Sequence, residues 1–212
     1  MRINEETLIQ YGVSKEYISE TIERKLLTDH HDYYLYDCTD DTLVNNLIPV
    51  EKIIGIGRLT PNFGRHRFNI SFWKTLQEES SNINNHKFKN IQTMIETHGL
   101  QHFHDWIEND SSEFDNFAHY YEEEDVFFIV EGQHRAMWAI LTGAKYYKVN
   151  TTYIHRLNKH KVQKFEEICK PLENYPFLLQ KLFIWLSNKK SEGYDTNAFF
   201  YLLRTNKFNT GR

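Results

Sequence analysis

The sequence VFFIVEGQHRAMW, residues 126–138, leads from five consecutive apolar residues through Glu131 and Gly132 into a His-Arg pair. A short run of β-branched and aromatic residues that stops at a glycine is typical of a buried strand. The residues from about His134 to Leu141 have a helical pattern, and Gly143 follows where a glycine commonly ends a helix. The stretch therefore predicts a buried strand, a tight turn and a helix.

The predicted turn has the features of an anion-binding site. The first backbone N–H groups of a helix have no partner within it, and the helix dipole leaves partial positive charge there. Gly132 would let the backbone approach a ligand, Arg135 matches phosphate oxygens, and His134 offers a hydrogen bond or a proton. We therefore predict phosphate binding by Gly132, His134 and Arg135. The alternative is a structural turn in which Arg135 pairs with an acid such as Glu131.

Three further segments have strand character. LIPVEKIIGIG, residues 47–57, is rich in β-branched residues, and Pro49 indicates that any strand there is short or lies at a sheet edge. YYKVNTTYI, residues 146–154, is a second β-rich run, and DYYLYD, residues 32–37, predicts a short strand. These runs predict a small sheet around the strand at residues 126–130.

Helical spacing of apolar residues appears on the N-terminal side of that strand. Residues 4–27 have it, with Gly12 as an interruption, and two more helices are predicted at residues 71–80 and 86–98. LQHFHDWIEND, residues 100–110, extends as a helix. SSEFDNFAHYYEEED, which follows, also has helical spacing, with Ser111 or Ser112 as its predicted N-cap; the spaced residues are Phe114, Phe117 and Tyr121.

The C-terminal residues, from about 157 onwards, are basic and predict helices that are broken at Pro171 and Pro176. KLFIWL, residues 181–186, reads as the buried face of one of them. The large aromatic side chains are expected in the core, namely Phe127, Phe128, Trp138, Trp185, Phe199 and Phe200. Trp73 and Trp106 are expected to pack, with base stacking as the alternative.

The composition favours a folded globular protein, since the 212 residues are 40% hydrophobic and 15% aromatic. No stretch approaches the roughly 18 consecutive apolar residues that a membrane span needs, so we expect no membrane partner. The N-terminal sequence MRINEETLIQYG lacks the apolar core of a signal peptide. Cys38 and Cys169 lie far apart, so we expect reduced thiols and a cytoplasmic location.

Charge is distributed unevenly along the chain. Residues 101–150 carry ten acids and three bases, whereas residues 151–212 carry five acids and eleven bases. A protein that binds nucleic acid usually has one consistently basic face, so the charge argument for DNA is confined to the C-terminal third. Four of its lysines would form a basic helix, namely Lys159, Lys161, Lys164 and Lys170.

The run VFFIVEGQHRAMWAILTGAKYYKVNTTYI resembles the core of the ParB/sulfiredoxin-like superfamily. There a strand leads into a Gly-x-[His/Arg]-Arg turn, a helix of small residues, a glycine and a closing strand. LIPVEKII resembles the opening strand of that core, and IQTMIETHGL resembles its helix ending in Gly-Leu. The loop with Arg65, His66 and Arg67 stands in the place of its arginine loop. The resemblance covers residues 47–156.

This resemblance implies nucleotide-phosphate binding at Gly132, Gln133, His134 and Arg135. Members of the superfamily hydrolyse CTP, use ATP to repair cysteine sulfinic acid, phosphorylate free serine, or act on DNA. Sulfiredoxins have a cysteine where this chain has Gln133, so sulfinic acid repair is not expected. ParB partition proteins continue with a helix-turn-helix and a dimerisation tail, for which residues 157–212 are too short. The acidic stretch 101–125 also departs from the short connection of the family.

Two functions follow as expectations. The first is a nucleotide-dependent phosphotransferase or nucleotide hydrolase that takes ATP or CTP, with Mg²⁺ as an accompanying ion. Glu131 would be a general base or Mg²⁺ ligand, His134 would be catalytic, and Arg65 and Arg67 would form a second anion clamp, or else a solvated basic loop. The second is a DNA-associated regulatory or accessory protein that grips backbone phosphates with the same turn. The residues leave open whether the site catalyses a reaction.

A protein metal site is not expected. QHFHDW brings His102, His104 and Asp105 together in sequence, but a helix turns the two His side chains away from each other. For the whole chain we predict an α/β (α+β) fold with a small mixed sheet flanked by helices. Its expected parts are an N-terminal extension at residues 1–46, the core at 47–156 and a C-terminal helical segment at 157–212.

Overall fold

The chain forms a mixed α/β structure around a five-stranded sheet, which confirms the predicted fold class. It divides into two compact units, residues 1–29 with 39–154, and residues 30–38 with 155–212. Among the residues described, no helix is long and apolar enough to cross a bilayer. The computed structural model describes residues 3–27, 33–57, 70–71, 73, 86–109, 116–190 and 194–205.

Seven strands are described, and five of them share one sheet in the order β2-β7-β5-β6-β3. Strand β6 pairs parallel with β3 on one side and antiparallel with β5 on the other, so the sheet is mixed. The short strands β1 and β4 pair antiparallel in a separate two-stranded sheet. The bounds are β1 Lys25–Leu26, β2 Tyr36–Pro49, β3 Ile53–Ile56, β4 Ile70–Ser71, β5 Phe117–Tyr121, β6 Val126–Ile129 and β7 Tyr146–Leu157.

Eight α-helices are described, together with two short 3₁₀ turns at Val50–Lys52 and Lys170–Leu172. The first unit has five of the helices and the second has three. The bounds are α1 Glu5–Gln10, α2 Lys15–Glu23, α3 His86–His98, α4 Leu100–Asn109, α5 Gln133–Thr142, α6 Lys159–Cys169, α7 Phe177–Lys190 and α8 Thr196–Thr205.

Close packing between β3 and β6 centres on Gly55. A Cβ at this position would lie 2.5 Å from Cε2 of Phe128 and 3.0 Å from Cβ of Leu27. Phe128 is fully buried, and so is its neighbour Ile129. The glycine therefore lets an aromatic ring of β6 lie directly over β3, which holds the parallel pair together in the core.

The elements predicted around the decisive stretch are confirmed. Strand β6, helix α5 and strand β7 lie where the sequence predicted them. Gly143 ends α5 with a φ of 72°, the left-handed conformation of a helix-terminating glycine. Within residues 4–27, α1 and α2 are separated at Gly12 as the sequence predicted, but Lys25 and Leu26 form strand β1 and not helix. Helix α3 ends at His98, immediately before Gly99. Pro49 ends β2, and β3 lies at an edge of the sheet.

The helix predicted from SSEFDNFAHYYEEED is wrong over the part that the structure describes. Residues 117–121 form strand β5, which pairs antiparallel with β6 across the turn at residues 122–125. Ala118 and Tyr121 are buried in the sheet. Residues 117–121 form a strand because they hydrogen-bond to β6. The spacing of apolar residues within one segment cannot predict such pairing with a distant segment. The predicted caps Ser111 and Ser112 lie outside the described residues.

Two N-terminal predictions also change. The short strand expected at residues 32–37 begins only at Tyr36, and it continues as the long strand β2 to Pro49. Ser71, expected to begin a helix, lies in β4. Apart from residue 73, the rest of the predicted helix at residues 71–80 lies outside the described part of the chain.

In the second unit, Pro171 and Pro176 interrupt the helices as predicted. Its core is formed by Leu35, Phe165, Cys169, Leu172, Ile184, Tyr194, Phe199 and Leu202. The prediction for KLFIWL is wrong, since only Ile184 of these six residues is buried. Trp185, expected in the core, is 46% exposed. One face of α7 packs inside the unit, and the rest of its apolar residues do not.

The two cysteines are expected to differ in reactivity. Cys169 is fully buried, and burial raises the pKa of its thiol to about 12, whereas Cys38 is exposed. Because the thiolate is the reactive form, a thiol reagent at about pH 8 should modify one cysteine in the folded chain and both in denaturant. Cys38→Ser should abolish the fast reaction, and Cys169→Ser should preserve it. Fast modification of both thiols in the folded wild type would contradict this prediction.

Candidate functional site

The predicted anion-binding turn lies at the carboxyl end of two neighbouring parallel strands. The backbone N–H of Gly57, just after β3, donates to the carbonyl of Ile129 at the end of β6 over 2.9 Å. In open α/β sheets, ligands commonly bind outside the carboxyl ends of the strands. From Gly57 the chain enters the segment with Arg65 and Arg67, which lies outside the described residues.

Gly132 has a left-handed backbone conformation, and contacts within the protein require a glycine at this position. Its φ is 82°, and it is the N-cap of α5, where no side chain forms a capping hydrogen bond. A Cβ here would overlap the hydroxyl of Tyr147 and lie 2.8 Å from Cβ of Asn116. The sequence prediction explained this glycine by the approach of a ligand. In the structure, close packing by two side chains of the protein also requires it.

Asn116 and Tyr147 pack against Gly132 and hold the turn in place. The hydroxyl of Tyr147 donates to the carbonyl of Gly132 over 3.0 Å. The side chain of Asn116 donates to the carbonyl of Lys148 over 3.0 Å and accepts from the backbone of Asn150 over 2.7 Å. Asn116 is 2% exposed and Tyr147 is 1% exposed. Sequence reasoning assigned neither residue to the site, because Tyr147 was considered only as part of a β-rich run and Asn116 only as part of a predicted helix.

Gln133 has a structural side chain. It is buried, and its side-chain amide donates to the carbonyl of Val130 on the preceding turn. The family resemblance implied that Gln133 binds phosphate. Because the side chain of Gln133 is engaged by Val130, only its backbone N–H, in the first turn of α5, is placed to bind a ligand.

The guanidinium of Arg135 lies over an aromatic ring. Its Cζ is 5.8 Å from the ring centroid of Trp106 in α4, and both residues are half-buried. This distance is within the range of a cation–π interaction, which orients the planar fork of the arginine. Trp106 was expected to pack or to stack on a base. The structure brings it to the candidate site through Arg135.

His134 and Glu131 also lie at the opening of α5. The His134 ring is 6.4 Å from the ring of Phe88, which stacks on Trp138 at 4.9 Å. The indole N–H of Trp138 donates to the carbonyl of Phe88 over 3.0 Å, so α3 is fixed to α5 beneath the histidine. The backbone N–H of Glu131 donates to the carbonyl of Phe117 over 3.2 Å. Both His134 and Glu131 are half-buried.

The histidines of QHFHDW lie on α4, as the sequence predicted. His104 is 3.0 Å from the hydroxyl of Thr142 through its Nε2, and burial lowers the pKa of His104. His102 is exposed and lies 5.0 Å from the ring of His98. Within the described ranges, no three His, Cys, Asp or Glu side chains are grouped to hold a metal ion.

A cavity of about 730 Å³ lies at the other end of α5, around Gly143. Arg24 lines it, but its guanidinium donates to the carbonyls of Val50 and Ile53 over 2.8 Å each, and burial lowers the pKa of Arg24. Three glutamates also line it, namely Glu20, Glu23 and Glu51. The cavity does not contain the predicted residues, and its acids disfavour an anion. The turn at residues 131–135 is therefore the better candidate for phosphate.

Comparison with protein-family models, with curated proteins and with solved structures found no match to this chain. The resemblance to the ParB/sulfiredoxin-like superfamily therefore stays a prediction from the motifs.

The packing of Gly132 can be tested with a double-mutant cycle. Gly132→Ala should lower the free energy of unfolding by more than about 2 kcal/mol, because it adds left-handed strain and overlaps the Tyr147 hydroxyl. In a Tyr147→Phe background the cost should fall by about 1 kcal/mol, since the overlapping oxygen is gone. Urea unfolding of the four proteins measures both values.

Gly143→Ala is the matched control for this cycle. Gly143 also has a positive φ, of 72°, but the nearest atoms to a Cβ there would be those of the Tyr17 ring, at 3.3 Å or more. The effects of Gly143→Ala and Tyr147→Phe should therefore add. Additive effects of Gly132→Ala and Tyr147→Phe would contradict the assigned packing.

Proposed function

We propose that the chain binds a nucleotide through its phosphates at the turn formed by residues 131–135. The observation that carries this proposal is the position of the N-terminus of α5, which follows a β-strand directly and begins at an N-cap glycine without a capping side chain. An anion placed there is stabilised by backbone N–H groups and by the helix dipole. The neighbouring parallel strand ends at the same edge of the sheet, which suits a ligand that spans two loops.

The distribution of acidic residues along β6 favours an anion at the end of the strand where the candidate turn lies. The acids of the hairpin turn, Glu122, Glu123, Glu124 and Asp125, lie at the start of β6, and the candidate turn follows its end. Asp125 accepts hydrogen bonds from Lys52 and Tyr120, which lower the pKa of its carboxyl group. The acidic character of residues 101–150 is therefore in part concentrated away from the turn.

Arg135 is the main side-chain ligand in this proposal. A guanidinium presents several N–H donors in one plane and can bind two phosphate oxygens at once. Contact with the Trp106 ring restricts its position before a ligand arrives, so less conformational entropy is lost on binding. His134, next to it in the first turn of the helix, would donate a second hydrogen bond to the phosphate or supply a proton.

The family resemblance extends the proposal to catalysis of phosphoryl transfer or nucleotide hydrolysis. Glu131 would accept a proton from the attacking hydroxyl or water, or would help to hold a Mg²⁺ ion that accompanies the nucleotide. Arg65 and Arg67, in the segment after Gly57, would neutralise the charge that develops on the leaving phosphate. ATP and CTP are the nucleotides that the resemblance implies.

The alternative, DNA binding, has less support, because it relies in part on a basic helix in the second unit. Lys161, one of the four lysines expected to form a basic helix, pairs with Asp37 and lies over the ring of Tyr34 at 4.7 Å. The hydrogen bonds from Lys161 and Asn158 lower the pKa of Asp37 and so favour its charged form. Because Lys161 already pairs with an acid of its own unit, we favour binding of a nucleotide over binding of DNA.

Calorimetric titration with ATP, CTP, GTP and ADP in the presence of Mg²⁺ tests the proposal. At least one nucleotide should bind the wild type, and Arg135→Ala should weaken its binding by roughly tenfold or more, because a charged hydrogen bond is lost. Arg135→Lys should recover only part of it, since an ammonium cannot bind two oxygens in one plane.

Lys145→Ala provides the matched control, because Lys145 is an exposed cation just beyond the opposite end of the same helix. It should leave the affinity unchanged. No binding of any nucleotide would rule out the proposed function. DNA binding that weakens steeply with salt, together with no nucleotide binding, would favour the DNA-associated alternative.

A further inference from the structure

Helix α7 in the second unit has apolar residues around most of its circumference. Gln180 and Ile184 are buried on one side, where the side-chain amide of Gln180 donates to the carbonyl of Leu172 over 3.0 Å. The carbonyl of Ile184 accepts from the hydroxyl of Tyr194 over 3.1 Å. These contacts fix which side of α7 faces its own unit.

The opposite side of α7 is apolar and exposed. At about 100° per residue, six large apolar side chains fall within an arc of roughly 160°, centred opposite the buried pair. The charged residue Lys181 lies beside this arc and not within it. The six residues are Leu178, Leu179, Leu182, Phe183, Trp185 and Leu186, with exposed fractions from 40% to 76%.

Tyr175 extends this face, because its ring lies 6.1 Å from the ring of Phe183 and it is 49% exposed. We call these seven residues the α7 face. With a full accessible area of about 200 Å² for a large apolar residue, the α7 face exposes on the order of 700 Å². That area exceeds the largest apolar patch of a typical monomer, about 300–600 Å². It is close to the roughly 800 Å² that each partner contributes to a stable interface.

We propose that the α7 face is the interface of a homodimer, in which α7 packs antiparallel against α7 of a second copy. A two-fold axis near Leu182 would place the same patch on both sides, so that Leu178 of one chain meets Leu186 of the other. The antiparallel arrangement also sets the two helix dipoles in opposite directions. This inference does not depend on the proposed function of the turn.

A second copy fits the α7 face better than a lipid surface does. A helix of fourteen residues rises about 21 Å, which is less than the roughly 30 Å hydrocarbon core of a bilayer. A helix that lies on a membrane keeps a charged face towards water, but the side of α7 opposite its apolar face packs within its own unit. Leucine and aromatic residues without charge are the usual centre of a dimer interface.

Sedimentation equilibrium of the full chain over a range of concentrations tests this inference. The wild type should reach twice the 25.5 kDa mass of one chain. Leu178→Glu and Leu182→Glu should each weaken the dimer by roughly 30-fold or more, because each would bury a charge against an apolar residue of the partner. Leu178 is 76% exposed, so its substitution should leave the fold intact, as circular dichroism would verify.

Ile9→Glu is the control, since Ile9 is an exposed apolar residue of the first unit, with 39% exposed. It should leave the dimer unchanged. A wild-type monomer at all concentrations would overturn the inference. So would a dimer that both α7 substitutions leave intact, or an assembly larger than a dimer. Binding of the monomer to anionic lipid vesicles, lost in Leu178→Glu, would assign the face to a membrane surface and also overturn it.

Cysteine cross-linking tests the direction of packing in a Cys38→Ser background. When chains with Leu178→Cys and chains with Leu186→Cys are mixed and oxidised, the antiparallel arrangement should give mainly disulfides between the two different chains. Disulfides formed mainly between identical chains would show parallel packing and contradict the arrangement proposed here.

Discussion

The double pairing of β6 is the constraint on which the first unit depends. This strand bonds to β3 on one side and β5 on the other, and its residues Phe128 and Ile129 are fully buried. Gly55 is needed because the ring of Phe128 occupies the space over β3. Since β6 cannot shift, the chain leaves the sheet at one defined point, and the first turn of α5 is held there.

The candidate site is built on that fixed exit. Hydrogen bonds from Tyr147 and contacts from Asn116 support Gly132 from the protein side, while Trp106 restricts the guanidinium of Arg135. The candidate ligand groups, Gly132 and Arg135, are therefore held by Asn116 just before β5, by Tyr147 of β7 and by the half-buried Trp106 of α4. This arrangement suits an anion, because the donors would be aligned before the ligand binds.

The second unit has a different constraint. Its core uses one side of α7, and the apolar residues on the other side are left at the surface. An exposed apolar patch as large as the α7 face commonly marks an interaction site, which is why we propose that a second copy covers it. The net positive charge of the C-terminal third is therefore weaker evidence for nucleic-acid binding than it first suggests, since Lys161 forms a salt bridge with Asp37.

The sequence by itself determined the local elements around residues 126–154, because apolar runs, glycines and prolines act within a few residues of themselves. It also predicted the helical breaks at Pro171 and Pro176, and it singled out Arg135. Only the tertiary structure decided that residues 117–121 form a strand, since that depends on pairing with β6. It likewise decided which side of α7 is buried and brought Asn116, Trp106 and Tyr147 to the turn. Contacts between residues distant in the chain leave no periodic signal in the sequence.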